Sequence, residues 1–201
     1  MKKEERELIL AAQKGSEEAF EALVKLHERQ IYALTLRICG NPEDAAEAAQ
    51  EAFLSAWQGL RFFRQESEFS TWLYRLASNA SIDLLRKEKR HRGAASLDDE
   101  LNPEVPDGTA LTPQDALERK EIREQIREGL LDLSADHRQV LVLREMHQLS
   151  YQEISDVLDL DVGTVKSRIS RARQQLRKFL LRKGNFLPRQ PSKETKKEGC
   201  K

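Results

Sequence analysis

The stretch SYQEISDVLDLDVGTVKSRISRARQQLRKFL, residues 150–180, decides the reading of this chain. Ser150 and Glu153 are spaced as a capping box, in which a hydroxyl and a carboxylate each satisfy an orphan backbone N–H of the first helical turn. Tyr151, Ile154, Val157 and Leu158 then form an apolar stripe on a short helix, which breaks at Asp159-Leu160-Asp161. Val165, Ile169, Ala172 and Leu176 recur at steps of four, three and four, the signature of one buried face on a second helix. At ~100° per residue the opposite face centres on Ser167, Ser170, Arg171 and Gln174, with Lys166 and Arg168 on its flanks. Asp159 stands where helix-turn-helix units often carry glycine, and Asp tolerates left-handed backbone better than most residues.

That face suits the major groove of DNA. An α-helix fits there, Arg pairs bidentately with guanine, and Ser reads either edge. Arg173, Arg177, Lys178, Arg182 and Lys183 continue along the helix and are read mainly as phosphate neutralisers. A merely solvated basic helix would leave the capped short helix and the tight turn before it unexplained.

The rest of the chain fits a helical frame. In 201 residues there are only nine Gly and six Pro, a poverty that argues against a turn-rich β fold. The prolines, at 42, 103, 106, 113, 188 and 191, leave two Pro-free blocks. Between them RGAASLDDELNPEVPDGTALTP has turn residues, a run of like charge and no apolar period, so 93–112 reads as a flexible acidic linker. The fold class expected is all-α: two small helical domains, 1–92 and 113–183, joined by that linker, with the helix-turn-helix in the second and a disordered tail at 184–201. Helices are expected near 5–14, 17–39, 43–58, 71–90, 114–131, 135–147, 151–158 and 162–182. Ser16, Asn41-Pro42, Thr112-Pro113 and Ser150 mark their starts, with Ser70 and Ser134 as weaker caps.

Composition excludes several classes. No apolar run approaches the ~20 residues of a membrane helix, and the N-terminus has no signal-peptide pattern. Two cysteines, Cys39 and Cys200, and four scattered histidines give neither a disulfide framework nor a metal-ligand spacing, so no metal or cofactor is expected. Net charge is zero, yet 163–183 holds eight Lys and Arg with no acid, and 93–118 holds seven acids with no base. A second basic stretch ends the helix at 71–92. Concentrated basic stripes in a neutral chain point to localised polyanion binding, inside the cell.

The N-terminal block carries its own candidates. In EDAAEAAQEAFLSAWQ, residues 43–58, Ala45, Ala49, Ala52 and Ala56 permit close helix approach, while Glu47, Gln50 and Glu51 line another side. Residues 60–74 hold five of the twelve aromatics: Phe62, Phe63, Phe69, Trp72 and Tyr74. About three of those five belong in a core. The helix that follows sets Trp72, Arg75, Asn79, Asp83 and Arg86 on one face and ends in Arg86, Lys87, Lys89, Arg90 and Arg92. Aromatics beside amides and cations are what unpaired bases need.

QEAFLSAW, FSTWLYRLASNASIDLLRK and LSYQEISDVLDLDVGTVKSRISRARQQL, in this order and spacing, resemble the extracytoplasmic-function (ECF) sigma factors of bacterial RNA polymerase. The resemblance covers about residues 8–183. It implies a sigma factor with no catalysis of its own, acting in the cytoplasm. Its first domain would bind core polymerase and the melted −10 element, and its second would read the −35 element in duplex DNA. Asp44, Glu47, Gln50, Glu51 and Phe53 match the segment that docks on the clamp helices of the largest polymerase subunit. Ala46 there replaces the first acid of the pair usual in the family. Ser55, Phe63, Trp72, Arg75, Asn79, Arg86 and Lys87 would serve the −10 strand, with Phe63, Asn79 and Ser55 at a flipped base. Thr164, Lys166, Ser167, Arg168, Ser170, Arg171 and Arg173 would serve the −35 element. Further partners implied are the flap of the second-largest subunit and an anti-sigma factor, often membrane-anchored. The rival reading is a dimeric helix-turn-helix regulator with a helical sensor domain. It needs a self-complementary apolar face and leaves the aromatic-basic helix unexplained.

Overall fold

The computed structural model describes residues 3–91 and 113–183, with side chains for 3–88 and 119–183. Eight α-helices follow in order: α1 Lys3–Gln13, α2 Glu17–Cys39, α3 Pro42–Gly59, α4 Phe69–His91, α5 Pro113–Leu131, α6 Ala135–Glu145, α7 Tyr151–Leu158 and α8 Val162–Lys183. A 3-10 turn at Leu60–Phe62 links α3 towards α4. The described residues contain no strand. The linker, the tail, Thr112 and Cys200 lie outside the described residues.

Capping sets the helix boundaries. Ser16 accepts the Ala19 N–H at 3.2 Å, Asn41 accepts the Asp44 N–H at 2.8 Å, and Ser134 accepts the His137 N–H at 3.4 Å. Each satisfies a donor that the helix cannot satisfy itself. Gly40 ends α2 in the left-handed region, φ 92°, with its N–H on the Leu36 carbonyl. Ser70 is not a cap. α4 starts at Phe69, and the Trp72 N–H reaches the Glu68 carbonyl, because the ring of Phe69 is anchored in the core and fixes the first turn one residue before the serine.

The first unit packs α2, α3 and α4 around Leu23, Ile31, Leu34, Ile38, Phe69 and Leu73, with α1 laid across α2. The expected alanine stripe, Ala45, Ala49, Ala52 and Ala56, is buried, and its small side chains let α3 approach both neighbours closely. A larger residue at a site such as Ala52 would overpack the contact, at ~1–3 kcal/mol. The second unit packs α5, α6, α7 and α8 around Leu130, Val140, Leu143, Ile154, Val165 and Ile169.

The two units also touch. α6 and α5 pack on α2, and α7 packs on α4. Arg138 of α6 is 8% exposed and has no carboxylate partner among the described residues. It donates to the Ile38 carbonyl at 2.6 Å, and to the Leu131 and Leu133 carbonyls at 3.0 and 3.2 Å. The guanidinium thus occupies the negative ends of two helices, one from each unit. The His147 ring lies edge-on to Tyr74, 4.7 Å between centroids. Burial, then the Arg37 charge, pushes its pKa down to about 4. A slack tether alone implies no such fixed contact. It arises because α2 ends in carbonyls that a buried guanidinium can cap.

Candidate nucleic-acid interface

The helix-turn-helix is built as its residues require. Ser150 and Glu153 form both hydrogen bonds of the capping box, which also holds the Glu153 carboxyl below its usual range. Asp159 takes the left-handed conformation, φ 53° and ψ 50°, and its N–H caps the Ser155 carbonyl. The Ser155 hydroxyl closes the turn on the Leu160 carbonyl. Asp161 caps α8, accepting the Thr164 N–H at 2.8 Å and the Thr164 hydroxyl, and these bonds lower its pKa.

On α8, Val165, Ile169 and Ala172 are buried. Lys166, Ser167, Ser170, Arg171 and Gln174 are exposed on the other side. The seven candidates there divide by what they touch. Thr164 is half-buried and tied to the cap at Asp161. Ser167 donates to the Thr164 carbonyl at 2.9 Å. Lys166 lies over the Tyr151 ring at 5.8 Å. Arg168 is half-buried against Asp136 at 3.4 Å, and Arg173 is paired with Glu145. Ser170 and Arg171 face solvent, and Arg171 makes no ion pair among the described residues.

The seven candidates of the first unit also divide. Phe63 is buried, its ring stacked on Trp72 at 4.9 Å and 25° and set edge-on to Phe69. Trp72 keeps part of its surface open. Arg75, Asn79, Arg86 and Lys87 are exposed along α4. Ser55 lies on α3, half-buried, with its hydroxyl 3.4 Å from the Glu51 carboxylate. Of the five aromatics at 60–74, Phe63, Phe69 and Tyr74 are buried, Trp72 is half-buried and Phe62 is exposed. Asn79, Asp83 and Arg86 face Asp136, Gln139 and Arg168 across a polar cleft of about 400 Å³ between the units.

On α3, Glu47, Gln50 and Glu51 are exposed and Phe53 is half-buried. Asp44 is buried in the first turn, where the Asn41 side chain holds it. Sequence reasoning paired Trp57 with Phe53 and missed that Leu54 and Trp57 extend the exposed face at 47, 50, 54 and 57 with apolar surface. The steps of three, four and three were the signal. A second missed feature is an apolar groove of about 540 Å³ between α5, α6 and α8, lined by Ile126, Leu130, Val142, Met146, Leu176 and Leu180 among others. No group of three His, Cys, Asp or Glu among the described residues is placed to hold a metal ion.

Residues 23–91 match Sigma-70 region 2, and residues 123–176 match Sigma-70, region 4. The chain is 38% identical over 183 residues to the ECF RNA polymerase sigma factor SigW of Bacillus subtilis, covering 86% of this chain and 94% of that protein. It is 34% identical over 173 residues to the ECF RNA polymerase sigma-E factor of Escherichia coli K12, covering 84% and 90%. A solved structure, CnrH in complex with the cytosolic domain of CnrY, superposes with a TM-score of 0.63 at 26% identity, covering 90% of this chain and 99% of that one. Two sigma regions in order, a helix-turn-helix with an open basic face, and this identity over nearly the whole length make the chain a member of the extracytoplasmic-function family of RNA polymerase sigma factors.

Proposed function

We propose that this sigma factor directs initiation through three separate surfaces. The exposed α8 face reads a −35 element in duplex DNA, with Ser170 and Arg171 at base edges and Lys166, Arg168 and Arg173 at or near the backbone. The α4 face, with Trp72, Arg75, Asn79, Arg86 and Lys87, takes the unpaired non-template strand of the −10 element, and Phe63 and Ser55 complete the set. Glu47, Gln50 and Glu51 on α3 meet the clamp helices of core polymerase, aided by Phe53. The domain limits follow: 1–92 for region 2, 93–112 for the linker and 113–183 for region 4, with a tail to 201.

The observation that carries this reading is the division of α8 into a buried apolar side and an exposed side of hydroxyl, amide and guanidinium groups. A bidentate Arg pair discriminates among bases by ~1–3 kcal/mol. The apolar groove between α5, α6 and α8 offers a seat for the polymerase flap. An anti-sigma factor fits as a further partner, since the solved relative CnrH is seen with the cytosolic domain of CnrY. The chain works in the cytoplasm without catalysis or cofactor of its own. No described helix is long and apolar enough to cross a membrane.

Engagement of both elements requires the cleft between the units to open. At ~3.4 Å per base pair, boxes named for positions −10 and −35 lie ~85 Å apart, while Asn79 and Arg168 line one cleft. Reconstitution with core polymerase and mapping of transcript starts tests the reading. The expected result is initiation downstream of a non-palindromic, two-box promoter. Binding to a palindromic duplex without polymerase would overturn it in favour of the dimeric regulator.

A further inference from the structure

We propose that Phe62 is a second stacking platform for an unpaired base, beside and distinct from the Phe63–Trp72 pair; this rests on the reading of the first unit as the binder of melted DNA. Phe62 is 69% exposed, the most exposed of the large apolar side chains described. A lone exposed phenylalanine is ordinary on a protein surface. This one is held in place.

The backbone around Phe62 is fixed from both sides by one amide. Gln13, at the end of α1, donates from Nε2 to the Leu60 carbonyl at 3.0 Å and to the Phe63 carbonyl at 2.8 Å. The Phe63 N–H closes the 3-10 turn on the Leu60 carbonyl at 3.0 Å. Leu60 and Phe63 are themselves buried, the latter against Trp72. With its neighbours pinned inward at 60 and 63, the residue between them is presented to solvent with little backbone freedom left to lose on binding. Pre-paid ordering of this kind is what a weak stacking site needs.

The surroundings select the occupant. The Arg61 guanidinium lies over the Phe62 ring, 4.6 Å from its centroid, and Arg64 is exposed two residues on. Glu66 and Glu68 come only after the chain turns through the left-handed Gln65, φ 58°. An exposed ring on a fixed backbone, with cations on either side in sequence, is the minimal site for one nucleotide: the ring stacks the base and the guanidinium groups neutralise its phosphates. Next to it, Phe63 and Trp72 are already stacked on one another, so Phe62 is the aromatic of this turn that stays largely exposed, with Arg61 over one face of its ring.

The test uses holoenzyme reconstituted from core polymerase with the wild-type chain or with Phe62→Ala, Phe62→Leu or Phe62→Trp. The probe is the non-template strand of the mapped promoter as a single-stranded oligonucleotide, with 2-aminopurine substituted position by position. Phe62→Ala and Phe62→Leu should weaken strand binding by about five- to a hundredfold and relieve the quenching of one 2-aminopurine. Phe62→Trp should retain both, with core polymerase affinity equal to wild type in every variant. Phe62→Leu binding like wild type would overturn stacking. Loss of core affinity in Phe62→Ala would overturn it too, by assigning the ring to a protein contact. If all variants bind the strand like wild type while the wild-type holoenzyme still opens its two-box promoter, this inference falls and the sigma reading stands.

Discussion

Arg138 and Ile38, a hundred residues apart, meet at 2.6 Å, a guanidinium donating to the last turn of a helix in the other unit. The same guanidinium caps the end of α5 through Leu131 and Leu133. Charged hydrogen bonds of this kind are worth ~1.5–3 kcal/mol each, offset in part by the desolvation of a buried guanidinium. Arg138→Met should therefore lower unfolding free energy by about 2–3 kcal/mol in urea titration. It should also lengthen the distance between fluorophores placed on α3 and α8. An unchanged distance would mean that the packing of α5 and α6 on α2 and of α7 on α4 holds the units together without this guanidinium.

His147 supplies a pH test. Folded, its pKa lies at about 4 through burial and the Arg37 charge, against an ordinary value of 6.5. The unfolded chain then binds the proton more readily than the folded one. Stability contributed by the neutral ring is complete above pH ~6.5 and is lost as pH falls from there towards 4. The groups that face the ring are Arg37 from α2 and Tyr74 from α4. In His147→Phe the part of the pH slope between 4 and 6.5 that belongs to this site should vanish. Chemical denaturation across that range measures it.

Arg171 and Arg173 should separate in transcription. Arg171 faces solvent, whereas Arg173 is held by Glu145. Arg171→Ala should weaken a promoter with an intact −35 box by about five- to a hundredfold, the equivalent of ~1–3 kcal/mol. It should leave core polymerase affinity unchanged. Arg173→Ala should act less and uniformly across −35 sequences, reducing the salt dependence of binding by about one unit of slope. Competition binding at several salt concentrations distinguishes the two.

Asp159→Gly should stabilise the helix-turn-helix. The residue sits at φ 53°, where a Cβ costs energy and glycine does not. The expected gain is about 0.5–1 kcal/mol, a rise of a few degrees in Tm by calorimetry.

Local chemistry was legible in the sequence, and contacts between units were not. The helices follow their caps: Ser16, Asn41-Pro42 and Ser150 mark starts that the structure keeps within a residue or so. The buried and exposed sides of α8 follow from a period of 3.6 residues. Phe62 and Phe63 show the limit. Adjacent aromatics in a turn have no period to assign one inward and one outward. That choice came from Gln13, nearly fifty residues earlier. Asp44 likewise matches the docking segment by position, and nothing in that match shows that the Asn41 side chain holds it in a buried first turn. No pattern within α6 announces that Arg138 meets carbonyls waiting at the end of α2.

Gly40 links these two scales. It ends α2 with a positive φ, and a Cβ built there would lie 2.3 Å from Cδ2 of Leu131 in the other unit. One missing carbon therefore serves a local turn and a distant neighbour at once. The halves of this chain are not interchangeable cassettes: a chimaera that imports its second half from a relative must bring a side chain shaped to rest on a bare backbone, or the seam will not close.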